Sequence, residues 1–447
     1  MKKLLPALRS LAKRQAWLCV ALLTSVLMSL FWSRLPHDFA TPPASIGFPR
    51  ARPLTDLFQP WFAARELLLH HRDPYGPDVT REIQIAFYGK ELGALDAGER
   101  SDQRRFALAY RFAYPLYVLL FLAPTVSMQF PTAQAVVWWA LAAVTTLSVP
   151  LWLRTFGIRL PLGHLIALCA VVLTSLPIMQ GLNLRQLGLL AASLIAGAAA
   201  SVVSGHLFLG GALLALATIK PQLSLLAIAW FALWVCAKWR QRQALAWGFS
   251  TTLAALVLAS EILLPGWVRG FQGALFDYAN HAGATSFIGM LLPFPLRWLV
   301  FALGGFMAVS RWRARRLPAD SVSFALSLAL VLALTTLVMP TVVAPYNHVM
   351  LLPTALLVMS RWSELWAGNA ATRIASAFFC AVALLPWPLV LICTLTATVS
   401  QAQATMVASL PLYAGLGLPL AALGLLVLLR RTESASLRTQ ALAGSEG

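Results

Sequence analysis

The chain has 447 residues, 59% hydrophobic and 11% charged, with a mean hydropathy of +0.74 and a formal net charge of +18. Soluble domains carry about 25% charged residues, so this composition excludes an ordinary soluble protein and defines an all-α, polytopic membrane protein. The apolar runs are mostly about 15–22 residues long without strand alternation, which suits helices crossing a ~30 Å hydrocarbon core. Nineteen of the 34 Lys and Arg residues sit in tight clusters beside apolar runs. That pattern is an orientation signal reinforced by anionic lipid, and it argues against nucleic acid as a partner.

In chain order, the basic segment Met1 to Gln15 runs into a first span, Ala16–Trp32, with no small-residue cleavage site after it, and reads as an uncleaved signal anchor. A polar insert follows. Further spans are expected at Thr132–Leu153, Leu162–Met179, Leu187–Val203, Leu207–Ile219, Leu223–Ala237, Ala244–Leu264, Leu296–Ser310, Val322–Met339, Val349–Ser360, Ile374–Leu395 and Ala408–Leu429. The five cysteines all lie in apolar runs, form no CxxC and read as small buried hydrophobes.

Charge decides the ambiguous run Tyr114–Val126. Basic connections at Lys2–Arg14, Arg154/Arg159, Lys238–Arg242, Arg311–Arg316, Arg361/Arg373 and Arg430/Arg431 belong inside by the positive-inside rule. Successive clusters then need an even number of crossings between them, which holds at Arg154 only if Tyr114–Val126 stays on the outer side as a juxtamembrane or re-entrant helix. The expected organisation is about twelve spans with both termini cytoplasmic. Residues 1–33 form the N-terminus and first span, 34–131 an extracytoplasmic loop with juxtamembrane helices, 132–430 the helical membrane domain and 431–447 a polar cytoplasmic tail.

Ten of the 16 acidic residues lie between Arg34 and Phe112 with eleven basic ones, a near-neutral balance that marks a folded aqueous segment. Within it, Thr55 is placed to cap a helix whose Leu57, Trp61, Ala64 and Leu68 share one face. Asp56 falls in the first turn of that helix and has two readings, as a partner of the helix dipole or as a base that accepts a proton from a sugar hydroxyl. The topology gathers further polar groups on the same side: Asn183-Leu184-Arg185-Gln186, Ile219-Lys220-Pro221-Gln222, Asp277/His281 and Pro345-Tyr346-Asn347-His348. Singly, Arg185 and Lys220 read equally as snorkelling cations, Tyr346 as an aromatic-belt residue and His348 as a helix-cap histidine. Jointly they favour an outward-facing site. P-loop, GxGxxG, HExxH and GxSxG motifs are absent from the sequence, no acidic cluster has metal-ligand spacing, and neither metal nor cofactor is expected.

The series Asp56, Ala63-Ala64-Arg65-Glu66-Leu67-Leu68, Asp73-Pro74-Tyr75, Phe112-Ala113-Tyr114-Pro115, Ile219-Lys220-Pro221-Gln222 and Pro345-Tyr346-Asn347-His348 resembles glycosyltransferase family 87 over roughly 53–353. These are C-type membrane enzymes that use polyprenyl-phosphate sugars and include mannosyltransferases. Three positions depart from the family pattern: its Tyr-Pro-Pro reads Tyr114-Pro115-Leu116, a Gly is replaced around His70-His71-Arg72, and its Gly-Gln turn reads Arg185-Gln186. The resemblance implies a C-type fold, a juxtamembrane helix before the second span and an acidic general base in the first outer loop, here Asp56. It implies a bacterial inner-membrane enzyme that moves a hexose, such as mannose, to a lipid or glycan acceptor on the extracytoplasmic face with inversion. Arg65, Tyr75, Tyr114, Asn183, Arg185, Gln186, Lys220, Gln222, Tyr346, Asn347 and His348 are the expected substrate-binding residues. The alternatives are a transporter or flippase of lipid-linked glycans, for which mid-span charge and an internal repeat are missing, and a polymerase of such glycans.

Overall fold

The structure, a computed structural model, describes residues 18–30, 54–88, 111–281, 314–338, 345–385 and 418–429. The described residues are mostly helical, with no strand among them. The expected span Leu296–Ser310 and parts of the first span and the last two lie outside them.

Among the described residues, two helices are long and apolar enough to cross a membrane singly, α5 (Phe130–Thr155) and α11 (Trp239–Leu263). A third candidate is the pair α6 (Leu162–Thr174) and α7 (Leu176–Leu184), bent by 62° at Ser175. Pro177 opens α7 and supplies no N–H to continue α6, and the Ser175 hydroxyl donates to the Val172 carbonyl at 2.6 Å, which closes the first half. Shorter apolar helices are α1 (Leu18–Leu30), α8 (Gly188–Val203), α9 (Leu207–Leu216, continued by a 3-10 turn at Ala217–Ile219), α10 (Pro221–Ala237), α13 (Val322–Val338), α16 (Ala370–Leu384) and α17 (Leu418–Leu429).

The core rests on two close helix pairings. In the first, α5 packs along α8. In the second, α9 packs along α11 through glycine: a Cβ on Gly211 would lie 2.0 Å from the Leu245 carbonyl oxygen, and one on Gly248 2.0 Å from that of Phe208. Small residues let backbones touch where no water is available to drive association. A second apolar cluster joins Met28 of α1 to α13, α14 (Leu352–Ser360), α16 and α17.

At one end of this bundle sits the insert, built from α2 (Phe58–His70), α3 (Pro77–Tyr88) and α4 (Val118–Leu122). Trp61 and Phe58 of α2 pack on Phe130 at the start of α5, and the Trp61 indole donates to the Thr125 carbonyl at 3.1 Å. Buried Glu66 pairs with Arg72 at 2.7 Å, and Arg72 also grips Glu82 of α3. The run 114–126 forms only α4 and one 3-10 turn, Ala123–Thr125, a fraction of the ~20 residues a crossing needs. Its Tyr117 hydroxyl meets Thr218 at 2.9 Å.

At the opposite end two basic segments meet. Buried Arg242 lies over the Trp234 ring at 3.7 Å and donates to the carbonyls of Trp234, Arg315 and Leu317. Two of the six basic clusters, 238–242 and the described part of 311–316, are therefore in contact, far along α10 from the insert.

One local expectation is corrected. Thr55 does not cap α2: its hydroxyl donates to Gln134 Oε1 at 2.9 Å, on α5, and the N-cap position is Leu57 without a side-chain bond. Asp56 likewise stands in the turn ahead of the helix and not in its first turn.

Candidate functional site

Three helices begin at the same place. Asp56 lies two residues before α2, Gln186 two residues before α8, and Lys220 is the N-cap of α10. Helix N-termini leave backbone N–H groups without intrahelical partners and carry positive partial charge, so their convergence favours an anion.

The side chains form a chain of contacts. Lys220 Nζ donates to Gln186 Oε1 at 2.8 Å, and Gln186 Nε2 donates to Asp56 Oδ2. On its other side Lys220 lies 4.9 Å from the centre of the Tyr346 ring. The Tyr346 backbone N–H donates to Gln180 Oε1 of α7 at 3.0 Å. Gln186, Lys220, Asn347 and His348 are buried, while Asp56 is half-buried. The ammonium is admitted by a missing side chain, since a Cβ on Gly188 would lie 3.1 Å from Lys220 Nζ. Lys220 stands in the turn between α9 and α10, where burial pushes its pKa from 10.5 down to about 8, with the Asp56 charge pulling the other way.

Arg185, next to Gln186, closes α7 in the left-handed region at φ 54°, with Gln186 N–H bonded to the Gly181 carbonyl at 2.8 Å. Its guanidinium folds back onto the Asn183 carbonyl, its Nε has no hydrogen-bond partner, and burial lowers its pKa. A half-buried cation with an unused donor beside Lys220's neighbour suits a ligand that brings its own acceptors.

Other expected residues go elsewhere. Tyr75 is buried with its hydroxyl on the Tyr114 carbonyl at 2.7 Å, and burial, then Asp73 and Tyr117, pushes its pKa up, so it remains a donor. Arg111 ties this corner to Asp277 of α12 (Trp267–His281) and donates to the Tyr75 carbonyl at 3.0 Å. Gly270 of α12 faces the Tyr75 ring, which a Cβ there would meet at 2.9 Å. Tyr75 and Tyr114 thus brace the insert. Arg65 lies 5.7 Å from the centre of the Trp61 ring, and Gln222 is half-buried in the first turn of α10.

Gln134, Gln180 and Arg111 were missed from sequence. Gln134 and Gln180 are amides at the ends of apolar runs, where a polar group needs a partner, and that cost was the available signal. Among the described residues, no group of His, Cys, Asp or Glu is arranged to hold a metal ion.

The profile of glycosyltransferase family 87 matches residues 112–340, just over half of the chain. The chain belongs to that family and is a membrane glycosyltransferase. No curated protein and no solved structure matches it. Tyr114, Asn183, Arg185, Gln186, Lys220 and Gln222 fall inside the matched segment, whereas Asp56, Arg65, Tyr75, Tyr346, Asn347 and His348 flank it.

Proposed function

We propose that the chain transfers a hexose from a polyprenyl-phosphate donor to a hydroxyl of a lipid or glycan acceptor on the extracytoplasmic face of a bacterial inner membrane. The observation that carries this is the joining of a carboxylate, Asp56, to a buried cation, Lys220, at the shared start of three helices. A glycosyl transfer that releases a phosphate needs both: a base for the acceptor and positive charge for the leaving group.

In the proposed reaction Asp56 removes the proton from the acceptor hydroxyl. The oxygen attacks the anomeric carbon from the face opposite the phosphate, the carbon–oxygen bond to phosphate breaks, and the configuration inverts. The bonding pair leaves on the lipid phosphate, whose charge Lys220, Arg185 and the helix N-termini stabilise. A phosphate leaves without proton donation, so one carboxylate suffices. Tyr346 stands beside Lys220, with Asn347 and His348 following it on the same turn, to orient the donor, and Asn183 and Gln222 flank the neighbouring turns. The twelve-span, C-type arrangement with residues 34–131 outside belongs to this reading.

The test supplies radiolabelled hexosyl-polyprenyl phosphate to the protein in vesicles. The label becomes covalently bound to acceptor lipid or glycan if this reading holds. Label that only crosses the bilayer, still on its donor, identifies a flippase, and a requirement for a lipid-pyrophosphate oligosaccharide identifies a polymerase.

A further inference from the structure

Gln186 is an amide between two groups of opposite demand. An ammonium has donors and no acceptor, so the amide oxygen must face Lys220; an ionised carboxylate has acceptors and no donor, so the NH2 must face Asp56. The observed contacts have this sense at both ends. Gln186 is itself buried, its backbone is held by the Gly181 carbonyl, and Gly188 keeps the Lys220 head against it.

The Gln186 contact thus sets which way the Asp56 carboxylate is turned, and the Lys220 contact sets the Gln186 amide. We infer that Gln186 is a positioning residue that, anchored on Lys220, holds the Asp56 carboxylate in the orientation in which it takes the acceptor proton. This rests on the assignment of Asp56 and Lys220 above and adds the residue that joins them. Among the described residues, the titratable groups shown to act on Lys220 are Asp56 through its charge and Tyr346 through its ring.

The chain has six lysines, at 2, 3, 13, 90, 220 and 238, so the Lys220 Nζ resonance is assignable in 15N-lysine-labelled protein in nanodiscs by comparison with K220R. Its titration is followed with and without farnesyl phosphate, a sugarless isoprenoid monophosphate, so that no knowledge of the sugar is needed. A phosphate seated against Lys220 raises the midpoint by about one pH unit. Gln186→Glu raises the ligand-free midpoint, and Gln186→Leu, which removes the acceptor, lowers it. Midpoints that coincide with wild type in both variants, or that move the same way, overturn the positioning role. A second arm reads turnover: Gln186→Leu lowers kcat more than it raises the donor KM, and adds no further loss on an Asp56→Asn background. Additive losses overturn the positioning role while leaving Asp56 as base. Wild-type turnover by D56N overturns the base assignment, whatever Lys220 does.

Discussion

His71 and Arg185 are the two non-glycine residues with positive φ among the described residues, at 55° and 54°. Both lie where the sequence resembles a family pattern that has glycine. The backbone conformation explains that glycine, since a left-handed residue costs a side chain roughly 1 kcal/mol or more that glycine does not incur. At Arg185 the strain is kept and a guanidinium gained. Arg185→Gly should therefore raise thermal stability slightly while raising the KM for a polyprenyl-phosphate donor about tenfold or more, the loss of a charge-assisted contact; melting and steady-state kinetics on one preparation measure both. Lys220 gives a pH prediction with a definite sign. Its amine is charged below about 8 and loses its proton as pH rises through that value, so kcat/KM should fall on the alkaline side with a midpoint near 8. In K220R, whose guanidinium does not titrate there, that limb should disappear from the profile.

At the scale of elements, the contact between α9 and α11 holds α9's far end, and with it the Lys220 turn, in place. Neither Gly211 nor Gly248 has room for a methyl group, because backbone atoms stand 2.0 Å from the added carbon. Gly211→Ala and Gly248→Ala should each destabilise by about 3 kcal/mol or more, beyond ordinary overpacking, because whole helices must separate. Gly163→Ala in α6, with nothing within 4 Å, should be neutral or mildly stabilising; detergent melting curves of the three variants check this. Helix existence was legible from apolar runs, and so was the shortness of the 114–126 segment, because charge parity and length are both written locally. Side-chain partners were not. Thr55 reads as a helix cap because local rules offer its hydroxyl only nearby N–H groups, yet its partner Gln134 is 79 residues away. Asp56 was legible as an acid before a helix, but its link to Gln186 spans 130 residues, and only packing of the insert on the bundle creates it. Tyr75 and Tyr114 are expected to bind substrate from the family motifs around them; that the buried Tyr75 hydroxyl meets the Tyr114 carbonyl, 39 residues on, is a contact no local rule supplies.

For the whole molecule, the two ends differ in kind. One holds Asp56, Gln186, Lys220 and Tyr346, and the other joins Arg242 to the carbonyls of the Arg315 segment. Orientation follows if the basic end is cytoplasmic. In a cysteine-free background, a membrane-impermeant maleimide should label a cysteine at exposed Asp78 in intact spheroplasts, and one at exposed Arg240 only after permeabilisation; the reverse pattern contradicts the proposed topology. The account as a whole turns on Asp56. The most direct measurement is transfer of radiolabelled sugar from a polyprenyl-phosphate donor by Asp56→Asn protein present in the membrane at wild-type level. The amide cannot take the acceptor proton, so a loss of turnover of about 100-fold or more is predicted, the usual scale for a general base, with the donor KM little changed. Turnover near wild type would contradict the assignment.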